Sequence, residues 1–448
     1  FSLKSIGQSN PLVSEVNRIT VTLQTNVDFP QGQGFVVTIS GLTNATVAAS
    51  YVTLTDVANG GASLFSDGST QSRGAWFSGT LALMVHAGQT VRSGREYIFS
   101  FEVTNPSGAQ NAATVNIALS GAGSTFTTAI MTTDTVDAYG VPDGGRPLKV
   151  IAPSFSCSAI GQNTPIARSL VTISVTLTAN IDFPDGSTVT IVGLTGTQTA
   201  DSVSLPVPST SNRLGTAGVW TQSTGQLVLT AANGGTSQGV ACTVTFDLRH
   251  AAAEYTPPSV SVMAMIKDGS TVLGSIAQVA MTPPNTPLLV ANGANPLVVV
   301  VPEFDTRSIG QSNPLASGTN IITVTLVTNV NLEQGSVVTI SGLTNAAVAG
   351  GSSYVTLADV GNGGGSLFFH LATQGRGAWS SGTLTLTVHT GQTIFVGTEY
   401  IFSFQVTNPS DAQNPGIVNI AASGSASCIQ AVMSSGTADV YGVTDGGK

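Results

Sequence analysis

Few residues in this chain could do chemistry. Gly235-Thr236-Ser237-Gln238-Gly239 spells G-x-S-x-G, the pattern that exposes a nucleophilic serine where a strand runs into a helix. Acyl transfer would also need a histidine base and an oxyanion donor. Here the pattern lies in a polar, glycine-rich stretch between two strand-like runs, with no helical pattern after it and only His250 in the same third of the chain. With 51 glycines in the chain, such a match arises by chance. His86 and His389 occupy matching places, on the outward parity of runs whose leucines and valines point inward. His370 is the fourth histidine. None of His86, His370 and His389 has His, Asp or Glu partners nearby in sequence, as a metal or catalytic site requires. Asp182 and Asp185 do not form a calcium-loop pattern. The expectation is a protein that is not an enzyme, with no catalytic residue, no cofactor and no metal.

Three other residue types are candidates for modification or contact. Asn44-Ala45-Thr46 is a glycosylation sequon in a turn-like stretch, whose counterpart Asn345-Ala346-Ala347 has lost it. Trp76, Trp220 and Trp379 recur at one place in three parts of the chain, each before a turn and a strand. They would serve either as packing anchors or as platforms stacking on sugar. Of the three cysteines, Cys157 and Cys242 could form a disulfide in an oxidising compartment. Together with Cys428 they could equally be buried thiols.

Repetition decides how these residues are positioned. Phe1, Phe155 and Phe304 each open a similar phrase: FSLKSIGQ, FSCSAIGQ and FDTRSIGQ. Ser5–Leu12 recurs unchanged as Ser308–Leu315, and Val37–Asn44 as Val338–Asn345, while the middle repeat diverges. Apolar residues alternate with Thr, Ser and Gln over Ile19–Gln24, Phe35–Ser40, Leu81–Val85, Tyr97–Val103 and Val115–Leu119. Such alternation indicates strands with one buried face. Asn59-Gly60-Gly61, Ser78-Gly79 and Asn105-Pro106-Ser107-Gly108 are turn signals between them. His250–Tyr255 could make one or two helical turns. About eight strands per repeat, each apolar on one face, predict two sheets packed face to face. The predicted fold is all-β: three tandem immunoglobulin-like β-sandwich domains, with a closed barrel as the alternative. The excess over a minimal immunoglobulin domain is assigned to the loop Ala58–Gly74.

The domains are expected at 1–146, 155–295 and 304–448, joined by connectors at 147–154 and 296–303. The connectors are not linker-like in composition. Leu148, Val150 and Ile151 in the first, and Leu297, Val298, Val299, Val300 and Val301 in the second, lie between prolines. Such runs predict strand-like connectors that complete the sheet of the domain they leave. The chain ends on Asp445-Gly446-Gly447-Lys448, matching Asp143-Gly144-Gly145-Arg146 just before the first connector. The expectation is therefore that the third sandwich has an open edge or groove, unless the sequence is cut from a longer tandem array. The start at Phe1, without Met, suggests a processed or excised form.

Composition bounds the partners. Charged residues make up 8% of the 448-residue chain, against about 25% in an ordinary soluble domain. The 14 basic residues are scattered and the net charge is −9, which excludes a phosphate-binding stripe and hence nucleic acid. No apolar run approaches the roughly 20 residues of a membrane-spanning helix. A surface of Ser, Thr, Asn, Gln and Gly with little charge repulsion is expected to be covered by glycans or buried in an assembly.

The phrase Ile19-Thr20-Val21-Thr22-Leu23, then Asn26-Val27, then Val37–Thr43, resembles a repeat of large secreted or cell-surface fibrous proteins of algae and other protists. That resemblance implies an extracellular coat or fibril protein, such as a glycan-coated fibril subunit. The reading is a structural subunit of an extracellular filament that polymerises head to tail with itself, by strand complementation. The alternative is a monomeric adhesin or carbohydrate-binding cell-surface stalk.

Overall fold

The computed structural model describes residues 1–121, 124–125, 128–209, 211–256, 259–284 and 286–448. The chain is almost entirely β-structure and folds as tandem β-sandwiches around three hydrophobic cores. Among the described residues, no helix is long and apolar enough to cross a membrane.

The alternation in sequence becomes alternation in burial. In Val16–Gln24, residues Asn17, Ile19, Val21 and Leu23 point inward. In Glu96–Thr104, Tyr97, Phe99, Phe101 and Val103 do so. The two strands are antiparallel, with Phe99 opposite Val21 and Phe101 opposite Ile19. The facing sheet places Ile39 between Leu81 and Ile117 on its neighbouring strands. The sheets meet through rings: Phe65 lies 5.7 Å from Phe99, and Trp76 lies 6.3 Å from Phe101. The third core repeats this with Phe368–Phe402 at 5.6 Å and Trp379–Phe404 at 6.2 Å.

The first sandwich has a five-stranded and an eight-stranded sheet; the second has a three-stranded and a six-stranded sheet. In the third, one long strand, Tyr354–Gly361, pairs with Arg376–Ser380 on one side and Tyr400–Thr407 on the other. It passes from sheet to sheet at a corner, so they form one continuous ladder. The counterpart in the first sandwich is split into Tyr51–Thr53 and Thr55–Ala58. The segment 58–74 contributes Leu64 and Phe65 to the core rather than forming a free loop. His250–Tyr255 forms no helical turn: the His250 N–H is drawn to the Ser169 carbonyl, and Tyr255 bridges Val299.

The connectors pair for only a residue or two on each side. The chain turns sharply at Leu148 (φ 56°) and Leu297 (φ 62°). Val150 then bridges Gln110 antiparallel and Ile151 bridges Leu12 parallel; Val299 with Tyr255 and Val300 with Ile166 repeat this. Each connector therefore fills a cleft between two loops of the preceding sandwich rather than extending its main ladder.

Replacing Trp220, which is 1% exposed, with alanine should destabilise the second sandwich by about 3–5 kcal/mol. Urea unfolding followed by hydrogen exchange in Ala217–Thr230 checks this.

Candidate docking site between domains

The site is assembled around one buried side chain per sandwich. Gln8 ends the strand Leu3–Gln8 and is buried. Its Nε2 donates to the Gly144 carbonyl at 2.9 Å and the Lys149 carbonyl at 2.8 Å. Its Oε1 accepts the Leu148 N–H at 2.7 Å. Gln162 repeats the arrangement, donating to Gly293 and Val298 at 2.9 Å and accepting the Leu297 N–H at 2.7 Å. One carboxamide thus satisfies both ends of the turn that opens each connector, which could not otherwise be buried without orphaned backbone groups. Gln311 donates to the Gly446 carbonyl at 3.1 Å and to the Lys448 carbonyl.

Asparagines hold the neighbouring loop. Asn17 occupies an inward position in an otherwise apolar row and donates to Gln8 Oε1 and Asn105 Oδ1, both at 2.8 Å. Asn105 Nδ2 in turn donates to the Asn10 and Leu12 carbonyls at 2.8 Å. Asn320 and Asn408 reproduce this network in the third sandwich. In the second, Val171 stands for Asn17 and His250 for Asn105. His250 is fully buried, with Nε2 2.8 Å from the Thr164 carbonyl. Since a carbonyl only accepts, Nε2 carries the proton. Nδ1 has no partner, and burial holds the imidazole below its ordinary value. His250 is thus a neutral structural clamp.

Each held loop reaches into the next domain. Leu12 is 0% exposed and belongs to the core of the second sandwich. Its Cδ1 would lie 2.7 Å from a Cβ built on Gly274, so a larger residue there would have to displace the end of the Leu12 side chain. Asn10 Nδ2 donates to the Leu273 carbonyl at 3.1 Å. Nearby, the Asp182 N–H donates to the Tyr139 carbonyl at 2.9 Å. Asn180 grips the connector, donating to the Ala152 carbonyl at 2.9 Å and accepting the Ser154 N–H at 2.8 Å. The second junction uses the same parts. Ile166 packs on the third core, and the Asn331 N–H donates to the Leu289 carbonyl at 2.7 Å. Asn329 binds the Val301 carbonyl at 2.9 Å and the Glu303 N–H at 2.8 Å.

The same parts recur at the two outer ends with their apolar surfaces exposed. Val27, the counterpart of Ile181 and Val330, is 47% exposed where those two are at 0%. Leu315, the counterpart of Leu12, is 53% exposed, and Tyr441, the counterpart of Tyr139, is 73% exposed.

The other candidate residues lie elsewhere. Trp76, Trp220 and Trp379 are buried, and Trp220 Nε1 donates to the Thr199 carbonyl at 3.0 Å, so none presents a face to a sugar. Cys157 and Cys242 are free thiols, and the disulfide is geometrically excluded. Cys157 lies opposite Thr178 and Cys242 opposite Leu177, on either side of the strand Leu170–Ala179. They therefore point to opposite faces, two strand spacings or roughly 9–10 Å apart, where a disulfide needs Cα atoms within about 7 Å. The Cys428 thiol is pushed up to about 12 by burial and by the Glu303 carboxylate, which leaves it protonated and inert. Ser237 is exposed, whereas His250 is buried against Thr164, so the two form no dyad. His389 is half-buried, edge-on to Phe369 at 5.3 Å, rather than a free strand residue. Asn44 lies on an exposed turn at φ 63°, its Nδ2 donating to Gln110 Oε1 at 2.9 Å. Among the described residues, no three His, Cys, Asp or Glu side chains cluster as metal ligands.

No protein-family model matches the chain, and no curated protein matches it. Among solved structures, the C-terminal domain of the Streptococcus pyogenes antigen I/II-family protein AspA aligns over 62% of this chain and 98% of its own, at 7% identity and TM-score 0.35. The full-length major pilin SpaD from Corynebacterium diphtheriae aligns over 90% of this chain and 86% of its own, at 12% identity and TM-score 0.24. The collagen binding domain of the Erysipelothrix rhusiopathiae surface protein RspB aligns over 59% and 87%, at 10% identity and TM-score 0.17. These superpositions are too weak to carry an argument.

Two outcomes test the site. Leu12→Ala should cost about 2–5 kcal/mol, whereas Leu315→Ala should stay within about 0.5 kcal/mol; paired urea titrations of the full chain measure both. For His250, the unfolded chain takes up a proton near pH 6.5 while the buried ring resists it. The second sandwich should therefore keep full stability above about pH 6.5 and lose it as the pH falls toward the lowered folded value. Hydrogen exchange of Cys242–Arg249 against pH should show that slope, and His250→Gln should flatten it.

Proposed function

We propose that the chain is a non-enzymatic structural unit of an extracellular or cell-surface filament. Its domains join head to tail, both along the chain and between chains. The observation that carries this reading is the match between exposed and buried counterparts. Val27 at one end and Leu315 and Tyr441 at the other belong to the two sets of residues that meet at both internal junctions. A head-to-tail contact between such different surfaces does not close on itself and gives an open filament. Strand complementation is one route to it. Outward Thr and Ser side chains and the exposed Asn44 suit a hydroxyl-rich, glycosylated exterior. Glycosylation of Asn44 would require releasing its bond to Gln110.

Sedimentation of the full chain at rising concentration should show a growing average mass, and negative-stain images should show threads. Val27→Asp or Leu315→Asp should each weaken association while leaving the far-UV spectrum unchanged. A mass that stays monomeric at every concentration would refute the reading and favour the monomeric stalk.

A further inference from the structure

The third sandwich carries a cleft of about 880 Å³, lined by Gln311, Pro314, Ala316, Val406, Gln413 and Val418 among others. Its counterparts in the other two sandwiches hold known occupants. In the first, the Pro147 carbonyl accepts the Ala113 N–H at 3.0 Å, and Val150 exchanges two backbone bonds with Gln110 at 2.8 and 2.9 Å. The Ile151 N–H donates to the Pro11 carbonyl at 2.8 Å, and its carbonyl accepts the Val13 N–H at 3.1 Å. Leu148 is 0% exposed and lies in the core of that sandwich. In the second, Leu297 is 1% exposed, Val299 pairs with Tyr255, and Val300 pairs with Pro165 and Ala167.

Gln413, Gly416, Pro314 and Ala316 stand where Gln110, Ala113, Pro11 and Val13 stand in the first sandwich. Among the described residues, the N–H groups of Gln413, Gly416 and Ala316 and the carbonyls of Gln413 and Pro314 make no backbone hydrogen bond. The cleft therefore presents a backbone ladder on two sides and an apolar floor between them. The floor residue Val418 is partly exposed where its counterpart Val115 is at 0%.

We propose that this cleft binds an extended peptide of the connector pattern, Pro-Leu-x-Val-(Val/Ile). Leucine fills the pocket beside Gln311, and the carboxamide takes its N–H, as Gln8 takes that of Leu148. The valine pairs with Gln413, and the next residue pairs with Pro314 and Ala316. The ligand is a main-chain strand with two apolar anchors, the mode in which backbone bonds supply affinity and side-chain pockets supply specificity. This deepens the head-to-tail reading, but its test is separate from assembly.

The probe is a fluorescein-labelled heptapeptide, Pro-Leu-Lys-Val-Ile-Ala-Pro, copied from residues 147–153 and titrated into the full chain by fluorescence anisotropy. Saturable binding is expected. Aspartate in place of the peptide's leucine, or N-methylation of its valine, should each weaken binding at least tenfold. Because these changes are in the peptide, they do not depend on a variant protein folding. Gln311→Leu in the protein should weaken binding comparably, and a photoreactive peptide should cross-link within residues 406–418. No saturable binding, equal binding of the altered peptides, or cross-links confined to other regions would overturn the proposal. Growing mass in sedimentation without peptide binding would refute the cleft but leave head-to-tail docking standing; binding by a strictly monomeric chain would do the reverse.

Discussion

The carboxamides of Gln8 and Gln162 are the constraint on which the junctions depend. Each is buried where its two donors and one acceptor meet three backbone groups of a tight turn. Without them, an apolar connector could not enter a cleft, because the left-handed turn at Leu148 or Leu297 exposes carbonyls and an N–H that have no ladder partner. A buried group left unpaired costs roughly 1–3 kcal/mol. With the turn satisfied, Leu148 and Val150 can bury their side chains, and the chain leaves each sandwich in a fixed direction.

From that fixed exit the rest follows. Asn180 and Asn329 receive the end of each connector. The loop beside the glutamine, stiffened by Asn17 and Asn105, pushes Leu12 into the next core. Fold and junction are therefore not separable layers. The residues that finish one sandwich also begin the contact with its neighbour, as in repeat proteins whose stability is shared between units and interfaces.

Much of the fold is legible in the sequence because burial follows parity along a strand. Ile19, Val21, Leu23, Phe99 and Phe101 are read correctly from alternation alone. The junction is less legible. Gln8 belongs to the recurring SIGQ phrase, which marks a repeat boundary without revealing that its side chain is buried. Asn17 carried a usable signal: an amide at an inward position, repeated at Asn320 and paired with Asn105 and Asn408. Its absence from the second repeat, where Val171 and His250 take over, hides the pattern. The valine run of the second connector favours a strand by propensity, but propensity says nothing of the turn at Leu297 or of the two different loops that Val299 and Val300 bridge. The Cys157–Cys242 pairing failed because sequence proximity within a repeat does not show that a whole strand lies between two residues.

The joints between sandwiches are held mainly by amides, carbonyls and aliphatic side chains, and carboxylates beside them such as Asp182 and Asp268 accept from the Gln238 N–H and the Tyr139 hydroxyl. Dissolved ions screen exposed charges, whereas salts excluded from protein surfaces strengthen apolar burial. A string of such joints depends less on dilute surroundings than one held by ion pairs, because added salt screens little that holds it and tightens its apolar contacts.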